Sequence, residues 1–250
     1  MSETYEMSNH GTWGSNSLTG NGRTRARKMV THITTAILGL TATALMSGGL
    51  HYENSMQETP HLVGGTKIAE AAIGWSAIST AFIPAIQAAA RWPTKKTTAV
   101  VSATGSLTAI GVALTAVASS VEALHAPENV AARMFKYVTE YGTSAELARE
   151  IDTIQVEYSC CGANNGGDYE QNREHLTGEV PDSCCKTHER PCDHLFNEHV
   201  NKDGCAEHLG EEVSTYLQVL TALLIAHTWA LAMATAAAAA ANLRGCNSGQ

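Results

Sequence analysis

Four long stretches contain no Asp, Glu, Lys or Arg: residues 29–52, 71–90, 97–121 and 213–243. Each has the roughly 20 residues a helix needs to cross about 30 Å of hydrocarbon. Their apolar content is modest. The first, MVTHITTAILGLTATALMSGGLHY, carries five Thr and His32. Its Leu, Ile and Val side chains together favour insertion by only about 3 kcal/mol, which the polar groups can largely cancel. A mean hydropathy of −0.10 for the whole chain is low for four crossings. The competing reading is a soluble bundle of Ala/Thr-rich helices. Soluble surface helices, however, usually carry charges on their outer face, and these windows carry none. That favours the bilayer.

The flanking charges give the windows a direction. Arg23, Arg25, Arg27 and Lys28 precede the first, Arg91, Lys95 and Lys96 separate the second from the third, and Arg244 follows the fourth. These positions share one side if all four windows cross, and of the other bases outside 122–212 only Lys67 falls opposite. Such a bias places both termini in the cytoplasm. A rival topology reads Arg23–Lys28 as the basic region of a cleaved signal peptide, with Ala42–Ala44 as its cleavage site.

The expected organisation follows. A cytoplasmic tail, 1–28, is polar and reads as disordered. Span one (29–52), an outer loop (53–70), span two (71–90), a cytoplasmic turn with Pro93 (91–96) and span three (97–121) come next. A large outer loop (122–212), span four (213–243) and a short cytoplasmic tail (244–250) complete the chain. The large loop holds 19 acidic and 7 basic residues, against 5 and 9 elsewhere. With a net charge of −8, the chain does not read as a nucleic-acid binder.

Within the large loop, Pro127 can open a helix, where its missing N–H would be unpaired anyway. Val130, Met134, Val138 and Tyr141 then share one face, and Gly142 stops the helix. Thr143 and Glu146 have the spacing of a capping box for a second helix, with Leu147, Ile151, Ile154 and Tyr158 on its apolar side. After Cys205, the series Leu209, Val213, Tyr216 and Leu217 predicts a helix that continues into span four. Residues 162–204 are rich in Gly, Asn, Asp, His and Pro and read as loops that need external staples.

Six of the seven cysteines lie in this loop: Cys160, Cys161, Cys184, Cys185, Cys192 and Cys205. An even set confined to the outer segment is what an oxidising compartment produces, and six cysteines allow 15 pairings. Adjacent cysteines cannot easily bond each other, but their side chains point different ways, so each pair can staple a helix end to two separate loops. Closed loops of about 45 and about 8 residues correspond to roughly 4 and 2.5 kcal/mol of chain entropy.

Four spans, a short first and a long second outer loop, "CCG" ending at Gly162, "PDSCC" starting at Pro181 and "GC" at Gly204–Cys205 resemble the tetraspanin family. "FNEHVNKDGCAEHLG" is most similar to its late-endosomal and exosomal member, and "NNGGDYEQ" and "VPDSCCKT" resemble integrin-associated members. The resemblance implies an all-α fold: a four-helix transmembrane bundle under a disulfide-stapled, helix-rich large extracellular loop. It also implies the pairs Cys160–Cys205, Cys161–Cys184 and Cys185–Cys192, with 162–204 as a variable partner-binding subdomain. Family members usually carry membrane-proximal cysteines, often as Gly-Cys-Cys-Gly in the cytoplasmic turn. This chain has "QAAARWPTKK" there, and Cys246 is the one remaining candidate for lipidation. It also lacks intramembrane carboxylates and any Asn-x-Ser/Thr acceptor. A solubilised four-helix scaffold displaying the loop as a binding module therefore stays open.

Little in the chain points to other chemistry. His188, Cys192, His194, His199, Cys205 and His208 offer zinc-type ligands, but without a standard spacing, and disulfides would consume the thiols. No catalytic motif or cofactor site is expected. His32 and His227 lie within spans, where a polar residue is a functional hint but also serves interhelical hydrogen bonding. A small transporter-like bundle would need intramembrane charge, and the windows contain none. The reading reached is a non-enzymatic membrane scaffold of the plasma membrane or late endosome. Its expected partners are the lipid bilayer and other membrane proteins (integrin-like proteins or further tetraspanins), with self-association as an additional option. Within 186–200, Lys186, His188, Arg190, Leu195, Phe196 and His199 form the candidate partner-binding surface, a small apolar centre with a polar rim. The competing reading puts Leu195 and Phe196 in the loop's own core.

Overall fold

The computed structural model describes residues 20–56, 66–92, 94–172, 180–186 and 199–247. Their backbone is organised as α1 (Gly20–Ser55), α2 (Thr66–Arg91), α3 (Lys95–Thr139), α4 (Ala145–Tyr158) and α5 (Cys205–Asn247), with short 3-10 turns at Gly166–Asn172 and Asp182–Cys184. Among the described residues there is no strand, only an isolated antiparallel bridge between Cys185 and Val200. The helices α1, α2, α3 and α5 are each long and apolar enough to cross a membrane. At 1.5 Å per residue, the 45 residues of α3 span about 68 Å, roughly twice the hydrocarbon thickness. Both α3 and α5 therefore continue past the bilayer and become the stalk of the large loop.

Helix ends depart from the charge-free windows in three places. Residues 20–28, assigned to a disordered tail, are the opening turns of α1, because charge absence marks the hydrocarbon crossing rather than the helix end. Pro127 does not start a helix but sits inside α3. Proline removes one intrahelical bond and strands the carbonyl four residues earlier. Here the Ser214 hydroxyl of α5 donates to that carbonyl, on Ala123, at 2.9 Å. Gly210, one turn before Ser214, lets the helices meet at this point: a Cβ there would sit 2.8 Å from Pro127 Cα. Finally, the expected Thr143–Glu146 box is not the cap of α4. Ser144 takes the N-cap, accepting from Leu147 N at 3.5 Å, while the Thr143 hydroxyl turns back to Glu140 O at 2.7 Å.

One continuous core runs from the spans into the stalk. Leu38, Leu45, Ile86, Val112, Leu224 and Leu231 are buried in the bundle, and Val130, Met134, Val138, Ile151, Ile154, Leu209 and Val213 in the stalk. The longest contact is between α3 and α5. Small residues set the helix approach: Gly49 faces Ile73 Cγ1, which a Cβ would meet at 2.7 Å, and Gly105 receives the Thr235 side chain. The outer surface of the spans is the inverse of a soluble protein's. Leu40, Leu107, Leu114, Trp229 and Met233 are 60–70% exposed with no charge between them. Contiguous apolar surface of this extent belongs in lipid, which is the physical case against a soluble bundle.

Polar side chains of the spans are turned inward or onto their own backbone. His227 is fully buried, with Nδ1 2.9 Å from Thr41 Oγ1 and Nε2 2.7 Å from Ser79 Oγ. Thr41 already donates to Leu38 O at 3.1 Å. A neutral ring with its proton on Nδ1 therefore satisfies all groups, donating to Thr41 and accepting from Ser79. This one side chain ties α1, α2 and α5 together. Ser119 of α3 donates to Leu217 O at 3.2 Å, and Thr221 donates to Ser119 at 2.9 Å. His32, by contrast, is exposed.

Candidate partner-binding loop

The loop is built on a stalk in which α4 packs back against α3 and α5. At its C-terminus α4 ends on Ser159, whose φ of 51° turns the chain sharply. Cys160 and Cys161 follow immediately, so both sulfurs leave from one corner in different directions. Cys160 bonds Cys205 at the start of α5, and Cys161 bonds Cys184; all four residues are fully buried. Cys185 is also disulfide-bonded, and its expected partner Cys192 lies outside the described residues. The bond at Cys205 removes that sulfur from the zinc-type set. His199 and His208 of that set are exposed, and His188, Cys192 and His194 lie outside the described residues.

The motif residues form the same corner. Gly162 has a φ of 70°, a backbone conformation costly for residues with a Cβ, and an added Cβ would strike the Asn165 carbonyl. Gly204 presses on backbone as well: a Cβ there would meet the Ala163 and Asn164 carbonyls. Across this contact Cys205 N donates to Gly162 O at 3.0 Å, Ala206 N to Ala163 O at 3.0 Å and Cys161 N to Asp203 O at 2.8 Å. The Asp168 carboxylate closes the turn by accepting from Asn164 N at 2.6 Å. Pro181 is buried and precedes the 3-10 turn that presents Cys184 and Cys185.

A buried polar network, missed by the sequence reading, joins stalk to loop. Asp152 accepts from the Tyr141 hydroxyl at 3.0 Å and from Ser183 Oγ at 2.5 Å. The Ser183 hydroxyl also lies 2.7 Å from Gln155 Oε1, and Gln155 Nε2 donates to the Tyr169 hydroxyl at 2.6 Å. Tyr169 stacks edge-on against Tyr141. Burial pushes the Tyr141 phenol above its ordinary range, reinforced by Asp152; burial does the same to Tyr169. Lower on the stalk, the Tyr158 hydroxyl donates to Glu212 of α5, and burial followed by that carboxylate raises its phenol too. Gln155 stands four residues after Ile151, on the same helical face, so its burial was readable from spacing. The pairing with Ser183 and Tyr169 had no sequence signal.

Of the candidate partner-binding residues, the structure brings Lys186 and His199 together. Lys186 N donates to His199 O at 2.8 Å, and Asn201 N to Cys184 O at 2.9 Å; both Lys186 and His199 are exposed. His188, Arg190, Leu195 and Phe196 lie outside the described residues, as does the Cys246 side chain. The residues on either side of 187–198 are thus paired with each other by two backbone hydrogen bonds flanking the Cys185–Val200 bridge.

The chain matches the Tetraspanin family over residues 28–241. It is similar to mouse (Mus musculus) CD151 antigen, at 33% identity over 104 residues covering 38% of this chain and 41% of the relative. Human (Homo sapiens) CD63 antigen is 37% identical over 71 residues, 28% of this chain and 30% of the relative. Mouse Tetraspanin-11 is 32% identical over 88 residues, 32% of this chain and 35% of the relative. The matched regions span about two-fifths or less of the length of these curated relatives.

Proposed function

The chain belongs to the tetraspanin family, and from that premise we propose that it is a non-enzymatic scaffold that gathers membrane proteins. It works in the plane of the bilayer through its spans and outside it through the large loop. Both termini are cytoplasmic, the loop faces the extracellular space or the lumen of a late endosome, and the partners are integrin-like proteins or further tetraspanins. A third bridge, Cys185–Cys192, completes the staples, and Cys246 is the lipidation site. The supporting observation is how the loop is held. The stalk helices spend their apolar faces on each other, while Lys186 and His199 stand exposed beside a corner fixed by two buried disulfides.

On this reading Leu195 and Phe196 supply the apolar centre of the interface, with Lys186, His188, Arg190 and His199 as its rim. Interfaces of this kind concentrate their energy in a few central side chains. Replacing Phe196→Ser with every cysteine intact tests it by partner co-purification from membranes. Unchanged disulfides with loss of co-purifying protein are expected. Unchanged disulfides with unchanged co-purification would refute the assignment, and a misfolded loop would make Phe196 a core residue.

A further inference from the structure

We propose that the end of the bundle bearing the α2–α3 turn is a docking surface for anionic phospholipid headgroups. Contacts between antiparallel helices place its parts at one level. Gly49 of α1 meets Ile73 of α2, and ten residues earlier Gly39 meets Ile83; continuing down α1 brings Lys28 to the level of the turn between Arg91 and Lys95. Likewise Ser119 meets Leu217 and Gly105 meets Thr235, which carries the end of α5, with Arg244, to the same level. Arg25, Lys28, Arg91, Lys95 and Lys96 are all exposed there.

The segments that carry them hold no acidic side chain. Residues 20–52, 71–121 and 213–250 contain no Asp or Glu. The opposite end is mixed, with Lys67 beside Glu53, Glu70 and Glu122. Trp92, 70% exposed between Arg91 and Lys95, supplies the amphipathic ring that settles at headgroup depth. The Thr94 cap, bonded reciprocally with Thr97, holds Lys95 and Lys96 on the first turn of α3, where the helix dipole adds to the positive field. Basic clusters immediately beside a span bind anionic lipid through the surface potential, each charge raising occupancy about fivefold. The field recognises charge and not headgroup shape. This turn has no cysteine and so no acyl anchor of its own, which leaves electrostatic contact to hold it at the surface.

The inference rests on four crossings, not on their orientation or on any protein partner. Full-length protein in nanodiscs exposes both faces at once. Native mass spectrometry of the protein released from phosphatidylcholine discs containing a minor fraction of phosphatidylserine counts the retained lipids. Phosphatidylserine is expected to be enriched over phosphatidylcholine, equally with phosphatidylglycerol, and to be lost as salt rises. The triple variant Arg91→Gln, Lys95→Gln, Lys96→Gln is expected to lower the enrichment about tenfold or more, whereas Lys67→Gln at the other end leaves it unchanged. No enrichment in the wild type, a triple variant equal to it, or preference for one anionic headgroup at equal charge would overturn the proposal. Should the triple variant fail to assemble, salt-independent retention by the wild type would overturn it alone.

Discussion

Removing the two buried bridges separately should produce similar losses of stability but different losses of structure. The Cys160–Cys205 bond closes 45 residues and Cys161–Cys184 closes 23. The chain-entropy relation assigns them about 4.0 and about 3.4 kcal/mol, a difference too small to distinguish. Location distinguishes them. Cys160–Cys205 joins the end of α4 to the start of α5, so its replacement by a Ser pair releases the stalk corner and everything suspended from it. Cys161–Cys184 anchors only segment 180–186, in which Lys186 N still donates to His199 O and Cys184 O still accepts from Asn201 N. Amide hydrogen exchange on the purified chain reads this directly. The Cys160→Ser/Cys205→Ser variant should lose protection along α4 and around Gly162. The Cys161→Ser/Cys184→Ser variant should lose it around 180–186 while α4 stays protected. Equal loss along α4 in both variants would refute the assignment of one bridge to the stalk and the other to the loop.

Gly204→Ala drives a methyl into two backbone carbonyls and should cost upwards of about 2 kcal/mol, seen as a lower melting temperature with both described bridges still formed. Ser214→Ala should cost about 1 kcal/mol and much less in a Pro127→Ala background, where the restored N–H bonds Ala123 O; a double-mutant cycle in detergent checks the coupling. His227→Leu removes the clamp on α1, α2 and α5 and should cost about 0.6–1.7 kcal/mol in denaturing-detergent titration, without altering the large loop. Tyr141, Tyr158 and Tyr169 are held above the ordinary tyrosine value of 10.0. Their stabilising contribution is therefore complete below pH 10 and lost as pH rises beyond it, so loop melting should be flat from about pH 6 to 9 and fall above about 10, less steeply in Tyr158→Phe.

What was legible in the chain follows from where its constraints are local. A charge-free window states a solvent preference residue by residue, and the apolar spacing of Val130, Met134 and Val138 or of Ile151 and Ile154 states a face. Both readings survive in the folded protein. Pro127 failed as a helix start because its rescue comes from Ser214, 87 residues away in the chain, and a local rule cannot see a donor on another helix. The capping box failed for a milder reason: Ser144 and Thr143 are both competent caps, and the Gly142 turn selects the later one. The Asp152–Ser183–Gln155–Tyr169 network was invisible because its members come from three separate segments, α4 and the two 3-10 turns, that meet only in the folded loop.

The account depends most on four crossings with the large loop on the side opposite both termini. Sealed vesicles from cells expressing the chain with a tag at each end, treated with protease before and after permeabilisation, measure this directly. In right-side-out plasma-membrane vesicles the loop should be cut while both tags survive, and both tags should vanish on permeabilisation. Digestion of either tag in those intact right-side-out vesicles, alone or together with the loop, would contradict the account.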